Sequence, residues 1–74
     1  MRKDKLLELA RSAGLRIEER KHDESGHVFS TTIHGQGGRF VSLTDDGQVL
    51  RDSPSELPKR TSIKAAAAHL DLTK

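Results

Sequence analysis

The apolar residues of this chain follow two different periods, and the points where one gives way to the other limit what it can fold into. Leu6, Leu9, Ala10 and Ala13 recur at helical spacing, with Lys5, Glu8 and Ser12 on the opposite face. Asp4 is placed to cap this helix and Gly14 to end it in the left-handed conformation that glycine tolerates. After Gly14 the period becomes two. Leu15-Arg16-Ile17-Glu18 alternates, predicting a strand to Arg20 or Lys21, and His22–Gly26 is polar and turn-like. His27–His34 is expected as a second strand, with Phe29, Thr31 and Ile33 on one face and Val28, Ser30 and Thr32 on the other. Gly35-Gln36-Gly37-Gly38 allows a reversal into a third strand, Arg39–Thr44. Asp45-Asp46-Gly47 signals another hairpin and a short fourth strand on the edge, Gln48–Arg51. Ser53-Pro54-Ser55-Glu56 has the spacing of a capping box and predicts one helical turn before Pro58.

At Ile63 the helical period returns. Ile63, Ala66, Ala67 and Leu70 form one apolar face within a run containing four consecutive alanines, the best helix formers, and Thr61 or Ser62 precedes it as a cap. The expected order is α-β-β-β-(β)-α. This is a small α+β domain, with an antiparallel sheet and both helices packed on one face.

Seventy-four residues make one domain. With aromatics limited to Phe29 and Phe40, the core must come from Leu6, Leu9, Leu15, Ile17, Phe29, Ile33, Phe40, Val41, Leu43, Ile63 and Leu70. So small a core gives marginal stability, and a homodimer or a bound partner is an expected supplement. Cysteine is absent, which removes disulfides, thiol chemistry and cysteine-based zinc sites. Glu8 and Arg11 interrupt the apolar residues of the basic start, and no segment is apolar for the length a bilayer requires, so an intracellular, cytoplasmic protein is expected.

The net charge is only +2, so a site for a polyanion must be a local patch. Lys59, Arg60 and Lys64 supply one around the expected start of the last helix, where free N–H groups also favour an anion. The plainer reading of the same residues is a solvated helix start. Four histidines raise a metal site, but His27 and His34 fall seven apart on one expected strand and point to opposite faces. His22 with Asp23 and Glu24 lacks a second spaced ligand set, so neither a metal nor a cofactor is expected. His69, near a helix end, is expected to complement the dipole. The glycines at 35–38 are not a phosphate loop, since no Lys-Ser/Thr follows and the chain leads into a strand.

This order and length resemble the double-stranded RNA-binding domain. The last helix of that family reads KKxAKxxAA followed by an apolar residue. Arg60 and Lys64 fall at its first and third basic positions, Ala67 and Ala68 at the paired alanines, and Leu72 at the apolar one, with Thr61 replacing the second base. LLELARSAGL resembles the family's first helix, with Glu8 in the matching place. Ser25-Gly26-His27-Val28-Phe29 keeps the glycine, histidine and aromatic of its first-hairpin loop but lacks the proline and is shorter. The resemblance implies that Lys59, Arg60 and Lys64 contact phosphates, and that Glu8, with Lys5 or Ser12, meets 2′-hydroxyls in the shallow minor groove of structured RNA. Near absence of aromatics argues against a base-stacking sheet of the RRM or OB kind.

HicA-type toxins, which cleave mRNA and are held by antitoxins, share that fold, and the chain is similar to them in Ser25-Gly26-His27 before Phe29 and in Glu56–Thr61. The Ser-Gly order is the reverse of theirs. This second resemblance implies an endoribonuclease with His27 as general acid/base. Three functions follow as expectations: a non-catalytic RNA or other nucleic-acid binder, a toxin of this kind, and a mobile-element inhibitor that binds a host protein complex.

Overall fold

The computed structural model describes residues 2–72. Its order is α1 (Lys3–Ser12), β1 (Arg16–Lys21), β2 (Val28–His34), a 3-10 turn (Gln36–Gly38), β3 (Phe40–Thr44), β4 (Val49–Ser53), β5 (Glu56–Arg60) and α2 (Ile63–His69). The strands form one antiparallel sheet in the order β1-β2-β3-β4-β5, so each pairs only with its neighbours in sequence. The expected α+β class, with a helix at each end and both on one face of the sheet, is the one observed.

Register decides which side chains meet the helices. Ile17, Ile33 and Val41 lie opposite one another across β1, β2 and β3, and Thr31, Leu43 and Val49 form the next inward row. Against these rows α1 buries Leu6 and Ala10, and α2 buries Ala66 and Ala67, with Leu70 just past its end. Leu7, Leu15, Ile17, Val49, Ile63 and Leu72 pack around this centre partly exposed. Alanine on α2 brings its backbone close to the sheet, and the contact is fastened at both ends. Ser62 accepts a hydrogen bond from the Ala65 N–H at 3.1 Å, and His69 Nε2 donates to the Asp52 carbonyl at 2.9 Å. His69 therefore ties helix to sheet rather than serving the dipole alone.

Several sequence-based expectations are corrected. Pro54 and Ser55 make the turn between β4 and β5, and Glu56 opens a fifth strand in place of the expected helical turn. Pro58 is accommodated because β5 is an edge, where a missing N–H breaks few ladder bonds. β4 consequently lies inside the sheet and extends to Ser53. Asp4 does not cap α1; Arg2 occupies that position, and Asp4 sits in the first turn, where its charge favours the helix dipole. His27 precedes β2 rather than belonging to it. Phe40 is not in the core. Val41 and Leu43 take the inward face of β3, which sends Phe40 and Ser42 to the other. Phe29 keeps the parity of Thr31 and Ile33, yet at the strand end it is only half-buried and its ring packs on His22.

Gly38 shows why the β2–β3 connection requires glycine. Its φ is +77°, and a Cβ there would lie 2.6 Å from Pro54 Cγ. Gly37 also has positive φ, at +69°, but faces open space. Gly37→Ala is expected to lose about 1–2 kcal/mol from the left-handed backbone alone. Gly38→Ala should lose more, because the turn must also move off Pro54; urea unfolding of the two variants measures the difference.

Candidate nucleic-acid interface

The β5–α2 junction carries the basic residues. The Thr61 N–H bonds to the Val49 carbonyl at 2.9 Å, so β5 stays in the sheet to its last residue, and the chain turns into α2 at Ser62. Lys59 and Arg60 are therefore strand residues, not part of the helix start, and successive strand residues point to opposite faces. Lys59 lies opposite Arg51, in the row of Val41, on the face that the helices cover. Arg60 lies opposite Leu50, on the uncovered face. Lys64 is exposed on α2. The expected cluster is thus divided about the edge of β5, with Lys59 and Lys64 on the helix side and Arg60 on the other. All three are exposed, and no ion pair engages them among the described residues. The seven-residue α2 adds little through its backbone dipole, and Ser62 already takes one of its first-turn N–H groups. The side chains carry the charge.

Lys5, Glu8 and Ser12 are exposed along α1, on the face expected. α1 packs on β1 and α2, while α2 packs on β3 and β4. The exposed face of α1 and the basic edge therefore stand towards opposite edges of the sheet, and among the described residues they share no hydrogen bond or ion pair.

His27, the candidate general acid/base, has a partner that sequence reasoning missed. Strand connectivity brings the β1–β2 loop, the β3–β4 turn and the β5–α2 junction to the same end of the sheet. There His27 Nε2 lies 3.2 Å from Asp45 Oδ2. The β2–β3 ladder runs as far as Ser30 opposite Thr44, and the Asp45 N–H bonds to the Phe29 carbonyl at 3.1 Å, which sets Asp45 beside the loop. Gly26 holds φ +70°, the His27 N–H donates to Ser25 Oγ at 3.2 Å, and the His22 N–H donates to the His27 carbonyl at 2.9 Å. The His27 ring stacks on that of His22, centroids 6.1 Å apart and 11° from parallel, and His22 rests on Phe29 at 4.7 Å. His27 and Asp45 nevertheless remain open to solvent, with 59% and 44% of their side chains exposed. Among the described residues no three histidine or carboxylate side chains converge as a metal set. No helix among them is long and apolar enough to cross a membrane.

Beside the pair, the Asp46 carboxyl is held below its ordinary value of 3.8, chiefly by the hydrogen bond from the Thr44 hydroxyl; backbone N–H groups and the charge of Arg60 add to it.

Compared with protein-family models, with curated proteins and with solved structures, the chain matches none.

Because the folded-state pKa of Asp46 is depressed, its stabilising effect is present above pH 3.8 and is lost as the pH falls through the lower value. Asp46→Ala should therefore unfold at lower urea than the parent chain near pH 6, and the two midpoints should converge on acidification.

Proposed function

We infer that this chain is a small nucleic-acid-binding module that grips phosphates with Lys59, Arg60 and Lys64 and takes structured RNA as its partner. The observation that supports this reading most is that three exposed cations, none of them in an ion pair within the described fold, straddle one edge of the sheet. Cations placed on both sides of an edge reach phosphates that run past it. Three such contacts weaken binding on the order of fortyfold between 50 and 200 mM salt, following the release of counterions. The pattern of Arg60, Lys64, Ala67 and Ala68 adds the likeness to double-stranded RNA-binding domains.

The experiment is binding of the whole chain to a labelled RNA duplex of about 20 base pairs, against DNA of the same sequence, over a salt series. RNA-preferring binding with this salt dependence is expected. Each of Lys59→Ala, Arg60→Ala and Lys64→Ala should lower the slope of log affinity against log salt by about 1, and the triple change to Glu should abolish binding. Absence of binding to both duplexes and to structured RNA at low salt overturns the reading and turns attention to a protein partner.

The His27–Asp45 contact favours a second reading, an endoribonuclease. A carboxylate that accepts from His27 Nε2–H leaves Nδ1 as the base able to take a proton from a ribose 2′-hydroxyl, while Asp45 stabilises the imidazolium that results. On this reading, His27→Ala and Asp45→Asn leave RNA binding intact and stop cleavage, as read by gel analysis of end-labelled RNA. RNA that stays whole through prolonged incubation with the parent chain rejects it.

A further inference from the structure

The face of the sheet turned away from the helices has a composition of its own. Across it run three rows of facing residues: Arg16, His34, Phe40 and Asp52; Glu18, Thr32, Ser42, Leu50 and Arg60; Arg20, Ser30 and Thr44. Neither helix covers it. Phe40 stands on the central strand, and its ring lies against that of His34, centroids 6.0 Å apart at 36°. The two acids of this face are already engaged. Glu18 sits between Arg16 and His34, whose Nε2 is 3.2 Å away, and Asp52 Oδ1 accepts from the Ser53 N–H at 2.7 Å. Arg20 on β1 and Arg60 on β5 are in no ion pair among the described residues, one at each lateral rim. Between the rims lie four hydroxyl side chains, Leu50, Asp52 and the aromatic pair, over a width of about 19 Å at the usual strand spacing.

From this arrangement we propose that the open sheet face binds single-stranded nucleotides, with bases stacked over Phe40 and His34 and phosphates held by Arg20 and Arg60. The division of charge selects the partner. A duplex presents phosphate ridges and keeps its bases stacked inside, so a partly exposed phenylalanine on the middle strand has nothing to stack on. An unpaired strand turns bases inward and phosphates outward, which matches an aromatic pair on the inner strands β2 and β3 with an arginine on each rim strand. The width suits two or three splayed nucleotides, the number that RRM sheets stack. Counting aromatics in the sequence argues against such a platform; the structure sets one phenylalanine and one histidine side by side. The proposal rests on the nucleic-acid reading and specifies which part of a structured RNA, its unpaired segment, reaches the protein.

The test uses the whole chain with a labelled 12-nucleotide single-stranded RNA and with the blunt duplex of the same sequence. Variants are Phe40→Ala, Phe40→Trp, Arg20→Ala and the pair Lys59→Ala/Lys64→Ala, each checked for folding by circular dichroism. The single strand should bind at least tenfold tighter than the duplex, and Phe40→Ala should weaken single-strand binding about tenfold or more. Phe40→Trp guards against a variant that fails to fold. The chain has no tryptophan or tyrosine, so the introduced indole becomes its principal fluorophore, and stacked bases should quench it while affinity is kept. Duplex bound as tightly as the single strand, or indole emission of Phe40→Trp unchanged at saturation, overturns the proposal. If Lys59→Ala/Lys64→Ala then still weakens binding, the phosphate-gripping reading survives on its own; binding to neither RNA removes both.

Discussion

Two alanines against the middle of a sheet hold this domain together. Ala66 and Ala67 are fully buried on a helix of only two turns, and a helix so short has no stability of its own in water. It persists because small side chains let its backbone approach β3 and β4, where Leu43 and Val41 fill the space that larger helix residues would otherwise occupy. The cap at Ser62 and the His69 bond to Asp52 fix the two ends of the contact. Leu70 then covers Gly35, whose missing Cβ leaves room for it; a Cβ there would stand 2.9 Å from Leu70 Cδ2. With the helix fixed, the sheet has one closed face and one open face, and the basic residues about β5 divide between them.

Most of the fold was legible in the sequence because period and parity reinforce each other there. The helical spacing of Leu6, Ala10, Ala66, Ala67 and Leu70 and the alternation through Thr31 and Ile33 survive into the core unchanged. Phe40 was misplaced by its apolar character alone. In Phe40-Val41-Ser42-Leu43 either parity is available, and two large inward residues outweigh one. β5 was illegible for another reason. Glu56-Leu57-Pro58-Lys59-Arg60 has no alternation and carries a proline, and only its position on an edge permits it as a strand.

The candidate sites were less legible, since they depend on register. That Lys59 and Arg60 leave the chain on opposite faces follows once β5 exists, and could not follow from a basic pair read as a helix start. The Asp45 beside His27 is eighteen residues away, and only the β2–β3 ladder brings it there. Lys5, Glu8 and Ser12 stand where the helical period put them, yet period alone says nothing of their distance from the basic edge. Residue types and helix faces were readable; the strand faces of β3 and β5, and pairs between separate elements, were not.

The sheet order has a kinetic consequence. Because every strand pairs with the next in sequence, each of the four ladders closes across a turn of a few residues, with no crossover to wait for. Loop-closure entropy is small at every step, which favours rapid assembly of the meander hairpin by hairpin. The helices are different: α1 and α2 come from opposite ends of the chain and touch each other only when the whole sheet lies between them in sequence. Bringing α1 against α2 is therefore the packing contact that closes the longest stretch of chain in the fold.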